Sequence, residues 1–279
     1  VTESASDPPN HHVSPLATPE PNRRLRWWIH LILIGSYPLL VGVLSLSRIA
    51  PRSPALAHDA GGLLRACVFQ LLLFSMIFAL GWMASRVSAK DLLLNWRPRF
   101  LAIPLGIIYS AGLRLALAVI AIFVIILLLA SQVVKPDDLE KFARTGRPNV
   151  RGLVDVSALR NDPLYLWLNL TLVSFVVAGL REELWRSAVI AGLRSLWPAY
   201  FDSKPGQIAA VGIAAAVFGI GHTAQGPIGV AAAGLLGFGL GTIMVLHRSI
   251  WPAVIAHGFF DAATLAALPW LFEKLPQLR

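Results

Sequence analysis

With 279 residues, 56% of them hydrophobic, only 14% charged and a mean hydropathy of +0.65, the chain departs from soluble globular composition and reads as an integral membrane protein. The net charge of +9 comes from Lys and Arg scattered through the connections, with no basic face interleaved with aromatics, so nucleic acid is not an expected partner. A single cysteine, Cys67, excludes an internal disulfide and a cysteine-rich zinc site; it is expected to serve as a packing residue.

In chain order, residues 1–22 hold five prolines among polar residues and are expected to form a disordered tail, in which His11 and His12 are too few to make a metal site. The first apolar run, 27–46, follows Arg23, Arg24 and Arg26; the second, 63–84, precedes Arg86, Lys90, Arg97 and Arg99. The positive-inside rule therefore puts the N-terminus in the cytoplasm, and targeting is expected from the first run rather than from a cleaved signal peptide. A third run, 101–133, carries Arg114 and reads as a tilted helix or as an interfacial piece followed by a span. The charged connection 134–163 is expected to be a solvated cap or lid.

Four more runs follow at 164–197, 207–222, 228–246 and 251–268. Continuous apolar stretches such as Leu115–Ala130 lack the alternation of barrel strands, so the fold class is all-α, a polytopic transmembrane helix bundle of about 7–8 spans. The expected organisation is a tail (1–22), N-terminal helices with a charged loop (23–163), a catalytic core (164–268) and a C-terminal tail (269–279). Gly237 and Gly241 have the spacing that lets transmembrane helices approach closely, and no preceding strand or Lys-Ser/Thr end makes them a phosphate loop.

Ionisable residues within these runs carry the chemistry. A charge at the bilayer centre costs about 3 kcal/mol even on the mildest insertion scale, so such residues point to a functional site. In Arg181-Glu182-Glu183-Leu184-Trp185-Arg186, either glutamate can meet Arg186, at i, i+4 or i, i+3. Adjacent glutamates point about 100° apart, so one can be neutralised while the other faces a cavity as a general base. The run is expected to begin at Pro163 behind Asn161 and Asp162 as caps, which places Glu182 near its middle. His222 closes Phe218-Gly219-Ile220-Gly221-His222, and Gly226 with Pro227 is expected to end that helix. His257 and Asp261 form an i, i+4 pair in which the carboxylate can orient the imidazole.

Each set alone also suits an ion pair or hydrogen bond tying helices together. Three sets on three successive helices, all supplying acid, base or oxyanion-binding groups, favour a hydrolytic site. The same side chains are zinc-ligand types, but no His-Glu-x-x-His pair is present, and composition does not decide between metal-dependent and metal-free hydrolysis. Depth poses a problem, because on seven spans His222 falls near the far end of its helix and His257 two turns inside the opposite boundary. Bringing them together calls for a break at the glycines of the fifth helix or a different assignment of spans.

These motifs resemble those of the CAAX-protease and bacteriocin-processing family, which includes endoproteases acting on prenylated proteins. The resemblance covers about residues 164–268 and rests on Glu182, Glu183 and Arg186, on Phe218 and His222, and on His257 and Asp261. It implies an intramembrane glutamate endopeptidase in which Glu182 activates water with His222 as its partner, His257 and Asp261 bind the oxyanion, and no metal or other cofactor is required. The family has three residues between its second Glu and its Arg, whereas two separate Glu183 from Arg186 here. Alignment on the glutamates makes Glu182 the catalytic carboxylate; alignment on Arg186 puts Arg181 first and Glu182 second.

The expected function is hydrolysis of a peptide bond in a membrane-associated protein or peptide, prenylated CAAX-type substrates included, in a multi-pass protein of the cell membrane. The expected partners are the lipid bilayer and that substrate, and the resemblance to compact bacterial members suggests a bacterial plasma membrane. The alternatives are a non-catalytic immunity or scaffold protein, a zinc-dependent membrane hydrolase and a proton-relay transporter, the last lacking an evident inverted repeat.

Overall fold

The computed structural model describes residues 21–46, 57–135, 138 and 154–274, and every regular element among them is helical. In chain order these are α1 (Pro21–Leu46), α2 (Ala60–Ser85), a 3-10 turn (Arg99–Leu101) opening α3 (Ala102–Ala130), α4 (Val156–Asn161), α5 (Pro163–Leu168), a π-helical stretch (Asn169–Leu180), α6 (Arg181–Leu196), α7 (Pro198–Phe201), α8 (Lys204–Gly221), a 3-10 turn (Thr223–Gln225), α9 (Gly226–His247) and α10 (Trp251–Lys274). Six helical stretches among the described residues are long and apolar enough to cross a bilayer: Ala60–Ser85, Arg99–Ala130, Pro163–Leu196, Lys204–Gly221, Thr223–His247 and Trp251–Lys274. They fall on the second to seventh apolar runs, and α1, with 26 residues, occupies the first. The molecule is a polytopic helical bundle, as its composition requires. The polar tail up to Glu20, with His11 and His12, and most of the charged connection lie outside the described residues.

Local chemistry sets the helix ends. Asp162 caps α5, its Oδ1 accepting from the amides of Leu164 and Tyr165 at 3.0 Å each, and Pro163 takes the first turn, where its missing N–H costs nothing. Asn161 instead closes α4. Gly226 and Pro227 begin α9 rather than end α8: α8 stops at Gly221, His222 caps it, and Gly226 turns the chain at φ +80°. The last helix runs six residues past the expected boundary, through Pro269 to Lys274. Leu265, Leu268 and Phe272 continue its apolar stripe at helical spacing and pack in one cluster with Cys67, Tyr165 and Val177.

The fourth span holds a feature that its residues do not announce. Between α5 and α6 the backbone is π-helical over 12 residues, with i to i−5 pairing. Side chains support it: Ser174 Oγ donates to the Asn169 carbonyl at 2.7 Å, five residues back, and Asn169 Nδ2 donates to the Tyr165 carbonyl at 2.8 Å. This stretch delivers the chain directly into Glu182 and Glu183.

Packing is organised around α6. His30 of α1 joins three helices, with Nδ1 at 3.0 Å from the Gly81 carbonyl of α2 and Nε2 at 3.0 Å from the Ala188 carbonyl of α6. Trp185 Nε1 donates to the Ile34 carbonyl at 2.7 Å. The connection after α2 folds over the start of α10: Ile250 N donates to Leu93 O at 2.9 Å and Trp251 Nε1 to Leu94 O at 3.0 Å. α3 leaves most of its surface to lipid, and Arg114, which the sequence shows as an interruption, ties it to α10 through the Phe259 and Phe260 carbonyls and Thr264 Oγ1, with its guanidinium over the Phe260 ring.

Gly237 and Gly241 of α9 provide the close approach expected from their spacing. A Cβ on Gly241 would lie 2.7 Å from Val211 Cγ1 and 3.1 Å from Arg186 Cδ. Gly241→Leu should therefore destabilise the bundle by about 1–3 kcal/mol, read as a lower thermal midpoint in detergent; Gly212→Ala, with open space around its Cβ, should leave the midpoint unchanged or slightly raised, since alanine is the better helix former. Outside the spans, Asp155 caps α4 and accepts from His58 at 2.6 Å; that bond, with the Ala158 and Ser157 amides, holds its carboxyl below the usual range. A depressed carboxyl stabilises the fold at pH above its unfolded value and loses that contribution as pH falls through its folded value. Asp155→Ala should cost about 1 kcal/mol near neutral pH, and the difference should close on acidification in a pH series of thermal unfolding.

Candidate functional site

Glu182 and Glu183 open α6, about midway along the 34-residue span. Because adjacent helical residues diverge, the two glutamates reach different surroundings. Glu183 is fully buried: its Oε2 pairs with Arg186 one turn on, and its Oε1 stands 3.1 Å from His257 Nδ1 of α10. Arg186 is equally buried and lies across the Phe218 ring of α8, with 4.8 Å from guanidinium carbon to centroid. Its Nε and Nη2 have no hydrogen-bond partner, so the aromatic face and Glu183 are what compensate its charge. Gly237 and Gly241 make room for this side chain: a Cβ on Gly237 would lie 3.2 Å from Arg186 Nη2.

Glu182 retains partial exposure, 15% of its side chain. Its Oε1 accepts from Arg181 Nη2 at 2.9 Å, and its Oε2 lies 3.7 Å from His257 Nε2. That nitrogen is also 3.7 Å from Asp261 Oδ2, whose side chain is 31% exposed. His257 therefore donates Nδ1–H to Glu183 and turns Nε2 towards two further carboxylates. The sequence pairs His257 with Asp261, but in the structure the near partner is Glu183, and Asp261 is beyond hydrogen-bond reach.

A cavity of about 430 Å³ lies against this cluster. Glu182, Arg181, Trp185, Phe218 and His222 line it together with Tyr37 and Pro38 of α1 and Phe69, Gln70, Leu73 and Phe74 of α2. His222 donates Nδ1–H to the Phe218 carbonyl at 2.8 Å and packs on the Phe218 ring at 4.4 Å, which leaves Nε2 as its second functional nitrogen. A larger cavity, about 600 Å³, holds the His58–Asp155 and Arg160–Glu273 pairs. None of the intramembrane motif residues lines it, so size alone is a poor guide here.

The helix of the fifth run does not break at its glycines. α8 is unbroken from Lys204 to Gly221, and the fifth to seventh runs are helical where expected. Glu182 is the shared neighbour, with His257 at 3.7 Å and His222 in the same cavity, while Asp261 lies one turn along α10 from His257. The two histidines thus come to the surroundings of Glu182 from different helices. Glu182, Glu183, Arg186, Phe218, His222, His257 and Asp261 all belong to one neighbourhood. Sequence reasoning missed the parts supplied by α1 and α2, namely Tyr37 and Gln70; a glutamine inside a transmembrane run was the available signal for the second. Among the described residues, no group of three or more His, Cys, Asp or Glu side chains is arranged to hold a metal ion.

Residues 163–263 match the family model described as type II CAAX prenyl endopeptidase, Rce1-like. The matched stretch begins at the Asp162-capped Pro163 and ends just past Asp261, so it takes in all three motifs and agrees with the family resemblance that those motifs carry. No curated protein and no solved structure matches the chain. The match supports a CAAX-type membrane protease in general terms.

The buried pair can be tested independently of activity. Arg186→Met would leave the buried Glu183 without its cationic partner and with only the His257 N–H, and should cost about 3–5 kcal/mol of stability. Combining it with Glu183→Gln should recover much of that loss, measured as thermal midpoints of the purified proteins in detergent.

Proposed function

On the premise of the similarity between residues 163–263 and the type II CAAX prenyl endopeptidases, we propose that the chain is an intramembrane endopeptidase whose general base is Glu182. The observation that carries this reading is the division of labour between the two glutamates. Glu183 is committed to Arg186 and His257 in a fully buried pair, whereas Glu182 keeps an oxygen near His257 and faces a cavity lined by His222. This division favours alignment of the motif on the glutamates rather than on Arg186.

In this mechanism Glu182 takes a proton from water held between it and His222, and the resulting hydroxide attacks the scissile carbonyl. His257, oriented by its Nδ1–H on Glu183, presents a protonated Nε2 to the tetrahedral oxyanion, and a protonated Asp261 donates beside it. Glu182 then passes its proton to the leaving amine as the peptide bond breaks. Glu183, Arg186 and Phe218 hold the frame. The chemistry uses no metal. The substrate is a membrane-associated peptide or protein, prenylated CAAX-type chains included, and the apolar cavity wall of Phe69, Leu73 and Phe74 suits a lipid-borne chain. We infer a bacterial plasma membrane, with the segment before the first run, which carries Arg23, Arg24 and Arg26, in the cytoplasm.

The test compares wild type and Glu182→Gln in detergent on a panel of prenylated and plain peptides, with and without chelator. Glu182→Gln should lower cleavage at least about a hundredfold with an unchanged thermal midpoint, and the chelator should leave the wild-type rate intact. Wild-type cleavage abolished by chelator would favour the zinc hydrolase. Cleavage by neither folded protein would favour the non-catalytic membrane protein.

A further inference from the structure

Arg181 makes a side-chain contact that helix spacing alone does not favour, and it bears on Glu182. Side chains at i and i+1 do not face each other on a helix, yet Arg181 Nη2 reaches Glu182 Oε1 at 2.9 Å. Contacts from other helices hold it there. Gln70 of α2 accepts from Arg181 Nη1 at 2.9 Å, and the Tyr37 hydroxyl of α1 lies 3.5 Å from the same nitrogen, with the guanidinium 5.9 Å from its ring centroid. Gln70 itself stands among Phe69, Leu71, Leu72 and Leu73, where an amide facing hydrocarbon without a partner is costly. Neither Gln70 nor Tyr37 belongs to the matched segment 163–263.

We propose that Gln70 and Arg181 form a positioning relay in which α2 holds the Arg181 guanidinium over Glu182, fixing one carboxylate oxygen so that the other faces His257 and the cavity. This rests on the reading of Glu182 as the general base. The charged and titratable groups around that carboxylate are Arg181 on its own helix, His257 and, beyond the imidazole, Asp261 on α10, and His222 across the cavity. The relay makes the N-terminal helices part of the catalytic apparatus: α1 and α2 aim the base that the matched segment contributes. Arg181 acts through Glu182 and need not touch the substrate.

The experiment uses full-length protein in detergent and whichever panel peptide the wild type cleaves, measuring kcat and KM for Arg181→Gln, Arg181→Lys and Gln70→Leu. Arg181→Gln should lower kcat about ten- to a hundredfold with KM within about twofold. Arg181→Lys should restore much of kcat. Gln70→Leu, which leaves α6 untouched, should show a smaller kcat loss, about three- to tenfold, and so tests the relay even if Arg181→Gln fails to fold. A raised KM with unchanged kcat would overturn the relay and make Arg181 a substrate anchor; a kcat loss in Arg181→Gln with no rescue by Arg181→Lys and no loss in Gln70→Leu would reduce it to a structural contact. Either result, obtained while Glu182→Gln is inactive, leaves the reading of Glu182 intact. Full activity in Glu182→Gln would overturn that reading and the relay with it.

Discussion

The arrangement depends on one buried ion pair. Glu183 and Arg186 are both removed from solvent, and an isolated charge at that depth would be prohibitive. Their contact permits both to exist there, but it also dictates much around them. Arg186 needs an aromatic face, which Phe218 supplies, and space, which requires glycine at 237 and 241. Glu183 needs a second donor, which brings His257 and hence α10 against the fourth span. A single compensated charge thereby specifies how α6, α8, α9 and α10 meet.

The consequence for reactivity is a separation of roles between neighbours of the same chemical type. One glutamate is committed to a cationic partner and an N–H donor, away from solvent. The other keeps contact with a cavity. Had both faced the cavity, their mutual repulsion would have opposed ionisation of either; had both been buried, no base would be in reach of a ligand. The 100° step between adjacent helical residues, applied at the middle of a membrane span, is enough to produce the difference.

Much of this was legible beforehand, and the physical reason is that lipid makes polarity conspicuous. Apolar runs marked the spans to within a few residues, except at the first helix, which starts at Pro21 rather than 27, and at Pro269, where Leu268 and Phe272 carry the helix onward. Glu182, His222, His257 and Asp261 stood out because hydrocarbon penalises them. Partnership was harder to read: an i, i+4 spacing linked His257 to Asp261, while its closest partner lies on another helix, 74 residues away. The π-helical stretch was invisible because it is made by Asn169 and Ser174 bonding to their own backbone, which no hydrophobic period reports. Gly226 and Pro227 were correctly seen as a boundary but assigned to the wrong side of it, since Pro ends one helix and starts another with equal ease.

The attachment of α3 carries a mechanical implication. Its 29 residues rise about 44 Å, against a hydrocarbon layer of about 30 Å, so this helix is longer than the slab it occupies. Hydrophobic mismatch of that size is relieved chiefly by leaning, and the lean varies with bilayer thickness. α3 packs along α10, with Gly106 against Ile255, and its polar grip on that helix, through Arg114, falls on the Phe259 and Phe260 carbonyls, immediately before Asp261. A bilayer of different thickness would therefore press on α10 through a packed helix pair, at a point that adjoins the acidic end of the site.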